Sequence, residues 1–179
     1  MTITMQDVLR HCNGTELKQE SQYSAAKNKV AFELSLLDSV SRGTILERII
    51  AEKIEFHTGY TANVTAHRAA WDITVDLEDK PVRIEVKSAL VAKTKNTKNP
   101  AYRFQNIKPE HFSYLFFALV TPDGVEIYWT TKKDYEQNAA CSYGNNGFTT
   151  NIAYEKLMSG GYYWLNDIED FPYNPKHSA

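Results

Sequence analysis

Apolar residues recur at helical spacing in residues 42–57, RGTILERIIAEKIEFH. The members of this stripe are Ile45, Leu46, Ile49, Ile50 and Ile54. Such a stripe predicts an amphipathic helix, and Gly59 is a typical C-terminal stop. Similar spacing in residues 24–40 predicts an earlier helix, with Gly43 separating the two.

Two neighbouring segments alternate between apolar and polar residues, which is the two-residue period of a β-strand. The apolar residues of AAWDITVDL and VRIEVKS are Trp71, Ile73, Val75, Leu77, Val82, Ile84 and Val86. The intervening EDKP predicts a turn, so the two strands form a hairpin. If Glu78 and Asp79 are its central residues, Asp72 lies directly opposite Glu85.

The segment FSYLFFALVTPDGVEIYWTT predicts a buried strand, a turn at Pro122-Asp123-Gly124 and a second strand. Residues 134–148 are expected to begin as a helix and continue as a loop rich in Asn and Gly. Residues 151–158 are a further candidate helix. Helices and strands together indicate an α/β protein with a mixed sheet.

Length and composition narrow the function classes. A chain of 179 residues with 42% hydrophobic content favours one domain over residues 1–179. Cys12 and Cys141 have neither disulfide-framework nor zinc-ligand spacing. The opening stretch lacks the apolar run of a signal peptide or membrane span, so we expect a cytoplasmic protein with no membrane partner.

The polar face of the hairpin carries the candidate chemistry. Asp72 and Glu85 are expected to converge there, and a divalent cation would hold two adjacent carboxylates ionised at neutral pH. Magnesium suits an oxygen site of this kind. Lys87, two residues from Glu85 on the same face, could activate a water molecule or contact a phosphate. Glu47 borders the buried helix stripe, about 20° from Ile54, and is a further candidate ligand.

A formal net charge of −2 argues against general electrostatic binding to nucleic acid, but a local basic surface is present. The segment after Lys87 contains no acidic residue up to position 103 and carries Lys93, Lys95, Lys98 and Arg103. Such a segment could neutralise the phosphates of DNA. A solvated loop is the alternative interpretation.

The pattern of Glu47, Asp72, Glu85 and Lys87 resembles the PD-(D/E)xK nuclease superfamily, in which a helix Glu precedes a hairpin bearing Asp and then Glu-x-Lys. Trp71 stands where the family name has Pro. The segment YRFQNIKP and the strands that follow it resemble the region after the catalytic Lys in restriction endonucleases, which implies that Gln105 lies near the active site.

The resemblance implies a restriction-endonuclease-like mixed central β-sheet flanked by helices, with a catalytic core at about residues 43–130. It further implies a magnesium-dependent endonuclease of the type II restriction kind, acting on double-stranded DNA as a homodimer. The C-terminal part would then contribute to DNA recognition or dimerisation.

Other interpretations of the same residues remain open. One is a structure-directed repair or defence nuclease, and another is an inactive DNA-binding module of the same fold. An Asp followed by Glu-x-Lys also occurs by chance on solvated strands. Asn145 and Asn146 could contact adenine, although an ordinary turn is the simpler interpretation. We interpret the acidic residues Asp167, Glu169 and Asp170 as solvated surface.

Overall fold

A computed structural model provides the fold. It describes Ile3 and residues 29–66, 69–77, 80–92, 101–144 and 146–171. The basic residues Lys93, Lys95 and Lys98 and the turn residue Asn145 lie outside these ranges. Within the described residues, no helix combines the length and apolar character needed to cross a bilayer.

Two helices open the described part of the chain, α1 (Lys29–Leu36) and α2 (Ser39–Thr58). The break between them lies at Asp38, whose side chain accepts hydrogen bonds from the backbone N–H groups of Val40 and Ser41. The prediction that Gly43 separates the helices was therefore wrong. A mid-helix glycine costs only about 1 kcal/mol, whereas an N-cap aspartate actively begins a new helix.

The C-terminal stop of α2 was predicted correctly. Gly59 has a φ of 72°, and its N–H donates to the carbonyl of Glu55. This is the left-handed conformation in which glycine commonly ends helices.

Nine strands make up one mixed sheet within the described residues. They are β1 (Ala62–Val64), β2 (Ile73–Leu77), β3 (Lys80–Ala92), β4 (Ala101–Ile107), β5 (Tyr114–Thr121), β6 (Gly124–Thr131), β7 (Cys141–Gly144), β8 (Gly147–Ala153) and β9 (Asn166–Asp167). The main path through the sheet runs β7-β8-β4-β3-β5-β6-β9, and β2 pairs with both β1 and β3. All pairs are antiparallel except β3 with β5.

The β2–β3 hairpin has the register that the sequence predicts, from Leu77 opposite Lys80 to Ile73 opposite Ile84. The ladder ends there, so Asp72 lies in a bend one residue beyond it and not directly opposite Glu85 as expected. The N–H of Asp72 donates to the carbonyl of Ile84 at 3.0 Å. The bend brings the Asp72 side chain back over the edge of β3.

Strand β3 has different partners along its length. It pairs with β2 up to Ile84, with β5 from Ile84 to Leu90, and with β4 from Val91. Because Ile84 pairs with both β2 and β5, these two strands lie on opposite edges of β3. Residues 85–90 therefore pair with β5 alone among the described strands, and one edge of β3 lies open there.

The core is built around β5, whose residues 115–120 are fully buried. A continuous apolar run of this kind is typical of a strand covered on both faces. Helix α2 packs against β1 and β3, and α1 packs against β5 and β6. The predicted α/β architecture, a mixed central sheet flanked by helices, is confirmed.

The region after β6 differs from its prediction. A short helix, α3 (Lys132–Asn138), is followed by the β7–β8 hairpin where a loop was expected, and α4 (Tyr154–Met158) comes next. Strand β8 gains its ladder partners from β4, nearly fifty residues earlier in the chain. Local sequence carries no signal of such a partner, which is why the Asn and Gly residues alone suggested a loop.

Two glycine-to-alanine substitutions in α2 are expected to have opposite effects. A Cβ on Gly59 would meet no atom within 4 Å, yet its left-handed φ makes Gly59→Ala destabilising by about 1 kcal/mol. A Cβ on Gly43 would lie 3.6 Å from Oε1 of Glu47, an ordinary contact, so Gly43→Ala should stabilise by about 0.5–1 kcal/mol. Urea-unfolding free energies check both values, and a loss of stability in Gly43→Ala would contradict the assignment of a regular helix there.

Candidate active site

A cleft of about 410 Å³ lies between α2 and the β2–β3 hairpin. We call it the catalytic cleft. The side chains that line it and matter for chemistry are Glu47, Thr65, Trp71, Asp72, Lys87 and Asn106. Three of the four residues predicted to be catalytic therefore share one cleft. The fourth, Glu85, is paired with Lys87.

The carboxylate of Asp72 is tied to the open edge of β3. Its Oδ2 accepts a hydrogen bond from the backbone N–H of Val86 at 2.7 Å. Because β2 has ended at Ile84, no strand carbonyl competes for this N–H. A side chain thus replaces a strand partner, which fixes the carboxylate against β3 between Glu85 and Lys87.

Thr65 fixes the main chain on the other side of Asp72. Its N–H donates to the carbonyl of Asp72 at 2.8 Å, and its hydroxyl donates to the carbonyls of Trp71 and Asp72. Asp72 is thereby held through its N–H, its carbonyl and its side chain. Since buried carbonyls need partners, these bonds stabilise the bend as well as the carboxylate.

Glu85 and Lys87 form an ion pair along β3, joining Oε1 of Glu85 to Nζ of Lys87. Their side chains are only 11% and 22% exposed, so the pair is partly shielded from water. The expectation that both residues share one face of the strand agrees with this contact. A charge-assisted bond in such a place is stronger than the same pair on the surface.

Glu47 reaches the cleft from α2. Burial, followed by the negative charge of Asp72, raises the pKa of the Glu47 carboxyl from 4.5 to about 7, while Lys87 opposes the shift. Its carboxyl group has no hydrogen-bond partner among the described residues. Glu47 is therefore close enough to Asp72 and Lys87 to share their electrostatic environment.

The other two carboxyl groups show shifts in the same direction. Burial raises the pKa of Asp72 despite the Val86 N–H, and burial also raises the pKa of Glu85 despite Lys87. Three carboxyl groups and one ammonium group thus occupy a poorly solvated space. Removing like charges from water without enough positive charge is unfavourable, and a bound cation would offset this cost.

The donor set fits a magnesium ion. Oδ1 of Asp72, Oε2 of Glu85 and both oxygens of Glu47 have no protein partner among the described residues. In the same part of the chain, no group of three His, Cys, Asp or Glu side chains is arranged to hold a metal ion, so water would have to supply the remaining ligands. Magnesium is typically bound through one or two carboxylates and keeps several waters. An open arrangement of this kind suits it.

The described residues that were expected to bind DNA lie farther from the catalytic cleft than the predicted catalytic residues do. Arg103 and Gln105 are exposed on β4, and neither lines the catalytic cleft. The residue next to Gln105, Asn106, does line it. The strand period itself directs Gln105 outward, since Tyr102 and Phe104 are the buried residues that alternate with Arg103 and Gln105. The β4–β8 register then shifts between Phe104 and Ile107, where Asn106 lies.

Sequence patterns missed three residues of the cleft, namely Thr65, Asn106 and Trp71. Thr65 acts through a bend, which has no sequence period. Asn106 has a left-handed φ of 58°, a conformation in which Asn is enriched but that one sequence does not reveal. The ring of Trp71 lies under the Arg83 guanidinium at 4.2 Å and its Nε1–H donates to Thr74, so it closes one wall of the cleft.

The pH dependence of stability should reveal the Glu47 carboxyl. Its folded-state pKa of about 7 lies above the ordinary 4.5, so the folded protein keeps a proton that the unfolded chain releases. Stability therefore falls as pH rises from about 4.5 through about 7. The quantity to compare is the change in the free energy of unfolding between about pH 4 and about pH 8. Over this range Glu47→Gln should lose about 1–2 kcal/mol less stability than the parent protein.

Urea unfolding in EDTA across this pH range measures the difference. Glu155→Gln, at an exposed glutamate in α4, is the matched control and should track the parent protein. A stability difference between Glu47→Gln and the parent protein that does not change with pH would contradict a raised Glu47 pKa.

No protein-family model matches the chain, and none of the curated proteins is similar to it. Among solved structures, the chain is similar to a bacterial homing endonuclease, with a TM-score of 0.44 and 15% sequence identity. The similarity covers 65% of this chain and 76% of the endonuclease chain. A likeness this distant assigns neither a fold family nor an activity, so the chemistry of the cleft has to come from its own residues.

Proposed function

We propose that this protein is a magnesium-dependent DNA endonuclease that hydrolyses phosphodiester bonds. The observation that carries the proposal is the convergence of Glu47, Asp72 and Lys87 on one cleft, with Glu85 joined to Lys87. Two carboxyl groups held by protein contacts, a third on the facing helix and a lysine are groups that can assist metal-dependent attack of water on a phosphodiester.

Each residue has a distinct role in this reaction. Asp72 and Glu85 would hold the metal ion, and Glu47, which reaches the same cleft from α2, would take up or release a proton near it. Lys87 would orient the attacking water and offset negative charge on the phosphate. The water oxygen bonds to phosphorus while its proton passes to Glu47. The bond from phosphorus to the leaving oxygen breaks, and that oxygen takes a proton from solvent.

Magnesium, when bound, lowers the pKa of a coordinated water and offsets charge on the phosphoryl oxygens. The hydrogen bond from Val86 N–H leaves the other oxygen of Asp72 directed to this task. Because Asp72 is held at three points, the cleft needs little reorganisation before reaction, which is the condition for effective electrostatic catalysis.

The substrate we propose is double-stranded DNA, cut at a short specific sequence by a homodimer in the manner of type II restriction endonucleases. Two-fold protein symmetry would match a palindromic site. A nuclease directed by DNA structure is the alternative with the same chemistry, and the pattern of cut products separates the two.

Cleavage of plasmid DNA tests the proposal. We expect the parent protein to cut in magnesium and not in EDTA, and Asp72→Asn and Lys87→Ala to lose about a hundredfold or more in rate, because each removes a group used in the reaction. Asp123→Asn, in the exposed β5–β6 turn, is the matched control and should cut at the parent rate.

The products decide between the related functions. Discrete bands indicate a sequence-specific endonuclease, and a smear indicates a structure-directed or nonspecific nuclease. If the parent protein binds DNA but leaves it intact, the protein is a DNA-binding module and not an enzyme.

Magnesium binding can be measured without DNA. At ten times its Kd, an ion that binds only the folded state stabilises it by about 1.4 kcal/mol, so magnesium should raise the Tm of the parent protein. Asp72→Asn and Glu85→Gln should lose this increase.

Lys87→Ala separates metal binding from catalysis. Removal of the ammonium group leaves Glu85 without its cation, so the magnesium-dependent rise in Tm should be kept or enlarged while cleavage is lost. An equal Tm rise in the parent protein and Asp72→Asn would place the ion elsewhere.

A further inference from the structure

A second cavity of about 480 Å³ lies beside the catalytic cleft. Its lining includes Glu85, Asn106, Lys108, His111 and Asn146. The two cavities share Ala69 and Asn106, and the Glu85–Lys87 ion pair joins them, since Lys87 lines one and Glu85 the other. A ligand in the second cavity would therefore lie directly next to the reacting groups.

Asn106 is held in an unusual backbone conformation at the boundary of the two cavities. Among the described residues it is the sole non-glycine residue with a positive φ, 58°. It lies in the irregular part of β4 where pairing with β8 is interrupted. Its amide group is exposed and has no hydrogen-bond partner in the described part of the chain. Strained conformations of this kind concentrate at functional sites.

The β7–β8 hairpin completes the cavity by close contact with this bulge. A Cβ on Gly147 would lie 2.7 Å from the carbonyl oxygen of Ile107, so only glycine allows this approach. The contact brings Asn146, the residue before Gly147, to the same cavity as Asn106. Two amide groups with free donors and acceptors therefore face one space.

Lys108 supplies positive charge to this space, and His111 adds an imidazole that can hydrogen-bond. The N–H of His111 donates to the carbonyl of Lys108, which forms the turn over Pro109–His111 and keeps both side chains on the cavity. Lys108 is near enough to Glu85 for its charge to favour the ionised carboxylate. A lysine ammonium group beside two amide groups matches a phosphate that carries a hydrogen-bonding base or sugar.

We propose that the second cavity holds the nucleotide next to the scissile phosphate, with Lys108 contacting its phosphate and Asn106 and Asn146 hydrogen-bonding to its base or sugar. This inference rests on the proposed function. It extends the site beyond the four residues with catalytic roles, and it makes Asn106 a substrate-binding residue that touches both cavities.

Asn106→Gly separates binding from structure. Glycine adopts a positive φ without strain, so the variant should be at least as stable as the parent protein while it lacks the amide. We expect its affinity for DNA to fall by about tenfold, the loss of one good polar contact to a nucleotide. In cleavage assays the same variant should raise KM by a similar factor and change kcat much less.

Lys108→Ala provides an independent readout. Loss of one phosphate contact should weaken binding and also reduce the slope of log affinity against log salt by about one unit, whereas Asn106→Gly should leave that slope unchanged. Lys133→Ala, at an exposed lysine on α3 outside both cavities, is the matched control. Fluorescence anisotropy, with calcium in place of magnesium, measures the affinity for a labelled DNA duplex and its dependence on salt. The duplex comes from a plasmid fragment that the parent protein cuts, or has a random sequence if it cuts none.

Several results would overturn this inference. Affinity and KM equal to those of the parent protein in Asn106→Gly would show that the second cavity does not bind DNA. A salt slope in Lys108→Ala equal to that of Lys133→Ala would show the same. In either case, magnesium-dependent cleavage by the parent protein would leave the proposed function intact. A parallel loss of stability and affinity in Asn106→Gly would assign Asn106 to the fold alone. A parent protein that neither binds nor cuts DNA would end both proposals together.

Discussion

The site depends on six residues of β3 that have a strand partner on one edge only. Residues 85–90 pair with β5, while β2 has already ended at Ile84. The backbone N–H of Val86 is consequently available to a side chain, and Asp72 takes it. A continuous strand along that edge would satisfy Val86 and leave no space in which Asp72, Glu85 and Lys87 could meet.

Electrostatics and packing oppose each other at this edge. The sheet and α2 remove water from Glu47, Asp72 and Glu85, and this raises the pKa of all three. One backbone N–H and one ammonium group offset part of the cost. A fold selected for stability alone would place apolar residues here, so the retained carboxyl groups point to a function.

The sequence was informative wherever a period or a turn was local. Alternation located β2 and β3 and placed Glu85 and Lys87 on one face, and the helical stripe located α2 and brought Glu47 toward the sheet. It was uninformative where a side chain or a distant strand decided the structure. Asp38, and not Gly43, marks the break between α1 and α2, the Asp72 bend shifted the last predicted pair, and β8 formed on β4. Asn106 entered the cleft through a bulge that no pattern in β4 indicates.

The long separation between β4 and β8 has a consequence for how the protein matures. The β2–β3 hairpin can bring Asp72 to the edge of β3 early, because its contacts are local, whereas the parallel β3–β5 pair and the β4–β8 pair bring together distant parts of the chain. Distant pairings form slowly in folding. Asp72 and Glu85 would thus become neighbours before the walls around them form, and the complete pair of cavities would arise only once the β7–β8 hairpin had docked through Gly147.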